Sequence, residues 1–145
     1  MSTSLVVTHE RLGTWARQLR PRLASSSTRL IETRSGTELV AAARNALAPL
    51  VVIDLADRPR AMLEDLAVAA LAVPSGLFLV LDPGELPGLS TLARELGATL
   101  TLAGVVPPPQ VAAIVARWLP IARRRAEADG WSALSVPNLL DDSRP

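Results

Sequence analysis

The chain has 145 residues, 49% of them hydrophobic, and a formal net charge of +1 at pH 7. That length allows one domain with a substantial core, and the balanced charge gives no general attraction to nucleic acid. The sequence contains no cysteine and no lysine, which excludes disulfide bonds, thiolate metal sites, cysteine nucleophiles, Schiff-base lysines and the lysine of a phosphate-binding loop.

The sequence shows neither a membrane span nor a secretion signal. No apolar run reaches the roughly 18 residues that a transmembrane helix needs, and the N-terminus lacks a basic segment followed by a long apolar one. We therefore expect a cytoplasmic domain. His9 is the sole histidine, so a zinc site would need mostly carboxylate ligands, which is uncommon.

Short apolar runs alternate with helical patterns along the first part of the chain. Ser4–Thr8 is rich in β-branched residues and predicts a buried strand, and Arg11–Leu23 has apolar residues at helical spacing. Thr28–Thr33 predicts a second, more polar strand. Ser35 followed by Glu38 predicts a capping box at the start of the second helix, because each side chain can accept a hydrogen bond from the backbone N–H of the other residue.

The same alternation continues to the last predicted helix. Leu50–Asp54 is apolar up to its final aspartate, as expected for a central parallel strand that is covered on both faces. We expect Asp57 to cap the helix that follows it. The remaining predicted elements are, in order, a helix over Pro59–Val73, a strand over Leu77–Leu81, a helix over Leu89–Leu96, a strand over Thr99–Leu102 and a helix from Gln110 to about Ala128.

Strands that alternate with helices in this way indicate parallel βα units. The predicted fold is therefore α/β, a three-layer α/β/α sandwich of the flavodoxin-like type, with a five-stranded parallel sheet in the order 2-1-3-4-5. The turn after the first strand lacks the Gly-x-Gly-x-x-Gly motif of a dinucleotide-binding fold. We expect residues 1–130 to form this domain and residues 131–145 to form a C-terminal tail.

The order of the elements and the position of Asp54 resemble the receiver domain of two-component response regulators, the CheY-like family, over roughly residues 4–128. The resemblance implies that Asp54, at the end of the third strand, occupies the place of the phospho-accepting aspartate. It also implies a signalling role in a phosphorelay, in which a divalent cation and a lysine offset the negative charge of the phosphoryl group.

Several positions around that aspartate depart from the pattern of active receivers. The resemblance implies an acidic pair for Mg²⁺ after the first strand, a threonine or serine at the end of the fourth and a lysine after the fifth. The residues found in these places are Thr8, His9 and Glu10 after the first strand, Leu81 and Asp82 at the end of the fourth, and Val106 or Pro107 after the fifth.

These replacements predict a degenerate receiver, or pseudo-receiver. A phosphorylated Asp54 would lack its counter-charge, and Asp82 would add repulsion. We therefore predict that Asp54 does not accept a phosphoryl group and that the domain holds no metal or other cofactor. The predicted function is that of a phosphorylation-independent protein-interaction module rather than an enzyme, with a separate protein or a second copy of the chain as its partner.

Other interpretations of the same residues stay open. Asp54 can simply cap the turn after its strand. A working stand-alone receiver would use Glu10 and Asp54 around Mg²⁺. The polar side chains at the strand ends could also converge as a metal or small-ligand site, although a solvated rim is the preferred interpretation. These side chains are His9, Glu10, Asp54 and Asp82.

The last predicted helix offers a candidate contact surface. Arg117 and Trp118 lie on this helix, and the resemblance implies that it contributes to the face that receivers use for pairing. The helix is basic towards its C-terminal end, which suits the helix dipole, and no DNA-binding motif accompanies it. We therefore expect a protein partner here, while nucleic-acid binding is disfavoured.

Overall fold

A computed structural model describes residues 3–24 and 27–142, with side chains as far as residue 130. Strands and helices alternate strictly along the chain, as the sequence predicts. The elements are β1 (Ser4–His9), α1 (Thr14–Arg22), β2 (Thr28–Thr33), α2 (Gly36–Ala43), β3 (Leu50–Asp54), α3 (Pro59–Ala72), β4 (Leu77–Asp82), α4 (Leu89–Leu96), β5 (Leu100–Ala103) and α5 (Pro108–Asp142).

The strands form one parallel sheet in the order β2-β1-β3-β4-β5, which confirms the predicted topology. Parallel neighbours need crossover connections, and the helices supply them. β3 lies at the centre, with its first four residues buried. Asp54, at the end of β3, pairs with Leu81 of β4. The register therefore makes Leu81 the direct neighbour of Asp54 at the C-terminal edge of the sheet.

Two hydrophobic cores flank the sheet. On the face covered by α1 and α5, the buried cluster includes Leu19, Val52 and Val115. On the face covered by α2, α3 and α4, it includes Ile53 and Leu66. Because side chains alternate along a strand, this division shows to which face each strand residue points. We call the two sides the α1/α5 face and the α2–α4 face.

Local sequence signals account for several helix ends. The capping box of α2 is present, since the Ser35 hydroxyl accepts the N–H of Glu38 and the Glu38 carboxylate accepts the N–H of Ser35. Pro59 begins α3, where its missing N–H is harmless. Gly97 ends α4 with a φ of 123°, and a Cβ at this position would collide with the Ala70 methyl group. Glycine therefore serves both the backbone conformation and the close approach.

The first and third helices begin differently from the prediction. α1 starts at Thr14 rather than Arg11, because Gly13 before it has a left-handed backbone with a φ of 76°. Asp57 does not cap α3: the N-cap residue is Arg58, and no side chain caps the helix. The Asp57 carboxylate instead lies 3.8 Å from the Arg11 guanidinium. The predicted cap was therefore wrong, because the loop positions Asp57 towards the segment after β1.

The last helix is longer than predicted. α5 has 35 residues, which corresponds to about 52 Å at the rise of an α-helix. Its backbone stays helical from Pro108 to Asp142, so the predicted end near Ala128 was too early. The side chains from residue 131 onwards, including that of Trp131, and residues 143–145 lie outside the described part of the chain. Within the described part, no helix is both long and apolar enough to cross a bilayer.

Candidate functional site

Asp54 lies at the C-terminal edge of the sheet on the α1/α5 face, and protein donors engage its carboxylate. The indole N–H of Trp15 donates to its Oδ2 at 2.9 Å. The backbone N–H of Ala56 donates to its Oδ1 at 2.8 Å, as in a turn that is closed by an aspartate side chain. Both oxygens of Asp54 are therefore held by groups of the protein itself.

Glu10 lies beside Asp54 and caps α1. Its Oε1 accepts the backbone N–H of Trp15 at 2.9 Å, and its Oε2 accepts that of Ala16 at 3.0 Å. Burial raises the pKa of Glu10 above its ordinary value, the two N–H donors oppose that shift, and the charge of Asp54 adds to it. The carboxylate best placed to hold a cation next to Asp54 is therefore committed to the start of a helix.

Apolar groups close the other side of Asp54. A small cavity of about 60 Å³ at this carboxylate is lined by Trp15, Leu81 and Val106, among others, and no basic side chain lines it. Leu81 is the register partner of Asp54. Pro107 is exposed, and its carbonyl accepts the N–H groups of Gln110 and Val111 at the start of α5. Leucine and valine therefore border Asp54 where an active receiver would hold a hydroxyl and an ammonium group.

His9 points to the opposite side of the sheet. Its side chain is fully buried on the α2–α4 face. The ring nitrogen Nδ1 lies 2.8 Å from the Thr33 hydroxyl, and Nε2 lies 2.8 Å from Oδ2 of Asp65 in α3. Thr33 in turn donates to the carbonyl of Thr8 at 3.3 Å. His9 therefore ties β1, β2 and α3 together and does not reach Asp54.

Asp82 and Thr8 complete the set of predicted site residues. Asp82 is buried, and strand alternation places it on the α2–α4 face with Phe78 and Val80. It thus points to the other face of the sheet from Asp54, so the two carboxylates do not line one common pocket. Thr8 is buried, and its hydroxyl has no hydrogen-bond partner among the described residues.

The preferred interpretation of a solvated rim is wrong for three of the four polar side chains, because His9, Glu10 and Asp82 are buried. The alternative, in which all four converge, is only half right. The structure brings Glu10 and Asp54 together, while His9 and Asp82 lie on the α2–α4 face. Within the described ranges, no group of three or more histidine, aspartate or glutamate side chains could hold a metal ion. The site is a pair of carboxylates that backbone and indole N–H groups already occupy.

Two residues of these networks were missing from the sequence-based prediction. Trp15 appears in the sequence only as one apolar residue of α1, although a tryptophan in a first helical turn, close to a strand end, has an N–H that needs an acceptor. Asp65 lies between Met62, Leu66 and Ala69, which are buried on one face of α3. A carboxylate next to an apolar stripe is a signal for a buried partner, and here that partner is His9.

The predicted contact residues lie on the outer part of α5. Arg117 is exposed. Trp118 is partly buried and packs against the core of the α1/α5 face. Trp118 therefore has a structural role in the domain, and its remaining surface is accessible beside Arg117.

Comparisons with known proteins identify the fold. No family model and no curated protein matches the chain. Among solved structures, the chain is similar to a CheY-like response regulator receiver domain protein from Methanospirillum hungatei, with a TM-score of 0.71, 14% identity and coverage of 85% of this chain and 98% of that one. It is also similar to a response regulator from Thermotoga maritima, with a TM-score of 0.65, 15% identity and coverage of 83% and 99%.

A third neighbour is of interest because of its state. It is a response regulator from Burkholderia pseudomallei with a phosphorylated aspartic acid, a calcium ion and citrate, and it matches with a TM-score of 0.65, 17% identity and coverage of 91% of this chain and 74% of that one. At such identities the likeness concerns the backbone and not the chemistry of the site. The chain therefore has the fold of response regulator receiver domains, the CheY-like form of the flavodoxin-like α/β sandwich.

Proposed function

We propose that this domain is a degenerate receiver that works as a protein-interaction module without phosphorylation of Asp54. The observation that supports this most strongly is the state of the Asp54 carboxylate. One of its oxygens accepts the Trp15 indole N–H and the other accepts the Ala56 backbone N–H. A phospho-accepting carboxylate attacks phosphorus with an oxygen lone pair. These two hydrogen bonds leave each oxygen a second lone pair, but they fix the orientation of the carboxylate and stabilise its negative charge, which makes it a weaker nucleophile.

The apolar side of Asp54 also disfavours the charge that a phosphoryl group would bring, and the Arg11 that lines the cavity on its other side is paired with Asp57. Transfer to a carboxylate needs cations around the developing oxyanions. Leu81 and Val106 line the adjacent cavity and offer neither a charge nor a donor side chain. The carboxylate of Glu10 is held at the first turn of α1 by one N–H on each oxygen, which restricts its approach to a cation beside Asp54. We therefore propose that Mg²⁺ does not bind productively and that the domain has no catalytic activity of its own.

A working stand-alone receiver is the second candidate, and one observation favours it. Glu10, Asp54 and Asp57 line a common cavity of about 240 Å³, and the charge of Asp54 contributes to the raised pKa of Glu10. Oxygen ligands of this kind suit Mg²⁺. In this alternative, Glu10 and Asp54 would hold the cation, and Asp54 would accept the phosphoryl group once Trp15 had released it.

Receiver domains as a class act through other proteins, such as kinases or effectors. For this chain we propose a separate protein or a second copy as the partner, with the exposed side of α5 around Arg117 and Trp118 as the contact surface. An Arg beside a partly exposed Trp is typical of the energetically important part of an interface. If phosphorylation has no role, contacts made by this surface should not depend on the chemistry of Asp54.

Phosphorylation with a small phosphodonor tests the proposal. The full chain is incubated with acetyl phosphate and Mg²⁺, and its intact mass is measured, with a response regulator of known activity as the positive control. We expect no phosphoryl adduct on this chain. Stoichiometric modification that is lost in Asp54→Asn would refute the proposal and establish the second candidate. The proposal also predicts that affinity capture with the wild type and with Asp54→Asn recovers the same proteins in equal amounts.

A further inference from the structure

A second cavity at the same edge of the sheet has a different chemistry. It has a volume of about 370 Å³ and lies between the segment after β1, the start of α2 and the start of α3. It adjoins the Glu10–Asp54 cavity and shares Arg11 and Met62 with it, but the Glu10 and Asp54 carboxylates do not line it. The side chains and backbone that line it are those of Arg11, Arg34, Ser35, Gly36, Arg58, Ala61, Met62 and Asp65.

The arginines of this cavity are only weakly neutralised. Arg11 and Arg34 each form one ion pair, at 3.8 Å, and both arginine side chains are more than half exposed. Arg34 is also attracted to the charge of Glu38. Exposed ion pairs at this distance contribute little to stability and leave the guanidinium groups free to move. Arg58 has no salt bridge with any described residue. Three arginines thus line one space, and their exposed side chains are long enough to turn their guanidinium groups towards a bound anion.

The single acid of the cavity is already engaged. Asp65 is bonded through Oδ2 to the buried His9 ring at 2.8 Å. Its carboxylate also lies so close to Gly36 that a Cβ there would collide with it. This close approach brings the start of α2 against α3 and fixes Asp65 in the wall. The cavity therefore has a positive character, because its three arginines outnumber its one carboxylate.

Two helix ends add to this positive character. Ser35 and Gly36 begin α2, and Ala61 and Met62 lie in the first turn of α3. The N-terminal end of a helix is the positive end of its dipole. Neither dipole would form a site alone, but here both coincide with the three arginines. Met62 and Ala61 also give the cavity an apolar wall.

From this combination we infer that the cavity bounded by Arg11, Arg34 and Arg58 binds the phosphate group of a small phosphorylated molecule. The planar guanidinium fork matches phosphate oxygens and forms paired hydrogen bonds with them. A volume of about 370 Å³ exceeds what one phosphate needs and falls in the range of small-molecule sites. This ligand would be bound and not transferred, so the inference is independent of whether Asp54 is phosphorylated.

Titration of the ¹⁵N-labelled full chain with pyrophosphate tests the inference. We expect saturable changes of the amide resonances of Gly36, Ala61 and Met62, with an affinity well above that for acetate at equal ionic strength. Arg58→Gln should weaken binding at least about fivefold, because it removes one charge-assisted contact. Arg94→Gln is the matched control, since Arg94 is also exposed but lies on α4 away from the cavity. Circular dichroism verifies that both variants fold.

Two results would overturn the inference. The first is a set of shifts that grow linearly with pyrophosphate and never saturate. The second is equal weakening by Arg58→Gln and Arg94→Gln, which would indicate diffuse attraction to a basic surface. If pyrophosphate saturates the site, parallel titrations with a nucleoside diphosphate and with inorganic phosphate distinguish a nucleotide ligand from the simple anion.

Discussion

The hydrogen bond between Trp15 and Asp54 is the residue-scale feature on which the proposal of an inactive Asp54 chiefly rests. It joins α1 to the end of β3 across 39 residues of sequence, with a distance of 2.9 Å. The acceptor is a carboxylate, and hydrogen bonds to charged groups are stronger than neutral ones. The bond therefore stabilises the fold and at the same time holds the Asp54 carboxylate in one orientation.

Trp15→Phe isolates that bond. Because the donor is lost and the carboxylate is partly buried, we expect a loss of about 1–2 kcal/mol in the free energy of unfolding, measured by urea denaturation. Trp118→Phe is the control, since it removes a similar volume from a partly buried tryptophan on the same face of the sheet. A loss that is the same in both variants would mean that the indole N–H contributes nothing beyond packing.

Glu10 gives a second residue-scale prediction, on pH dependence. Its folded-state pKa is raised above the ordinary 4.5, chiefly by burial. Between the unfolded and the folded pKa, the folded state binds more protons, so the free energy of unfolding should fall as pH rises through this window. Glu10→Gln should flatten this fall, as measured by urea denaturation across a pH series.

The pH behaviour of Glu38 provides an internal check. Hydrogen bonds from the backbone of Arg34 and Ser35 lower the pKa of Glu38 below 4.5, so its contribution is lost only as pH falls below that value. Glu10 therefore affects stability above pH 4.5 and Glu38 below it, so the two pH ranges do not overlap. If the fall above pH 4.5 is as steep in Glu10→Gln as in the wild type, the described environment of Glu10 is wrong.

At the scale of elements, the capping box of α2 shows how a local signal specifies structure. Ser35→Ala should cost about 1 kcal/mol, because the N–H of Glu38 loses its acceptor. Thr37→Ala is the matched control, being another exposed hydroxyl in the same turn. Thermal unfolding measures the stability of both variants. The pKa of Glu38, followed by NMR, should also rise towards its ordinary value in Ser35→Ala only, since the Ser35 hydroxyl contributes to its depression.

The elements that could be predicted from sequence are those with local causes. Apolar spacing and the neighbouring turn residues predict the helix over Leu89–Leu96 and the strand over Leu50–Asp54. The structure confirms both ranges. The start of α1 could not be predicted in this way. It depends on a left-handed Gly13 and on the Glu10 carboxylate, which folds back onto the first turn. Helix starts that use a side chain from the preceding loop do not show in periodicity.

At the scale of the whole molecule, the fold could be predicted from the sequence, whereas the arrangement of the site residues could not. The sheet order and the two cores depend on many apolar positions, and the sequence predicted them well. The site depends on single contacts between distant residues, such as His9 with Asp65, which are 56 residues apart. Strand alternation then decided that His9 and Asp82 face away from Asp54. A shift of one residue reverses the face, so a site residue at a strand end is hard to place from sequence alone.

The most direct test of the central claim is an NMR titration of the full chain with Mg²⁺ and then beryllofluoride, which mimics an aspartyl phosphate. The account predicts that the Trp15 indole N–H and the Ala56 amide keep their resonances, because Asp54 retains both hydrogen bonds. Saturable shifts at Asp54 that spread through Leu81 to β5 would contradict it. Such a result would mean that Asp54 is a working phospho-acceptor despite the leucine and valine beside it.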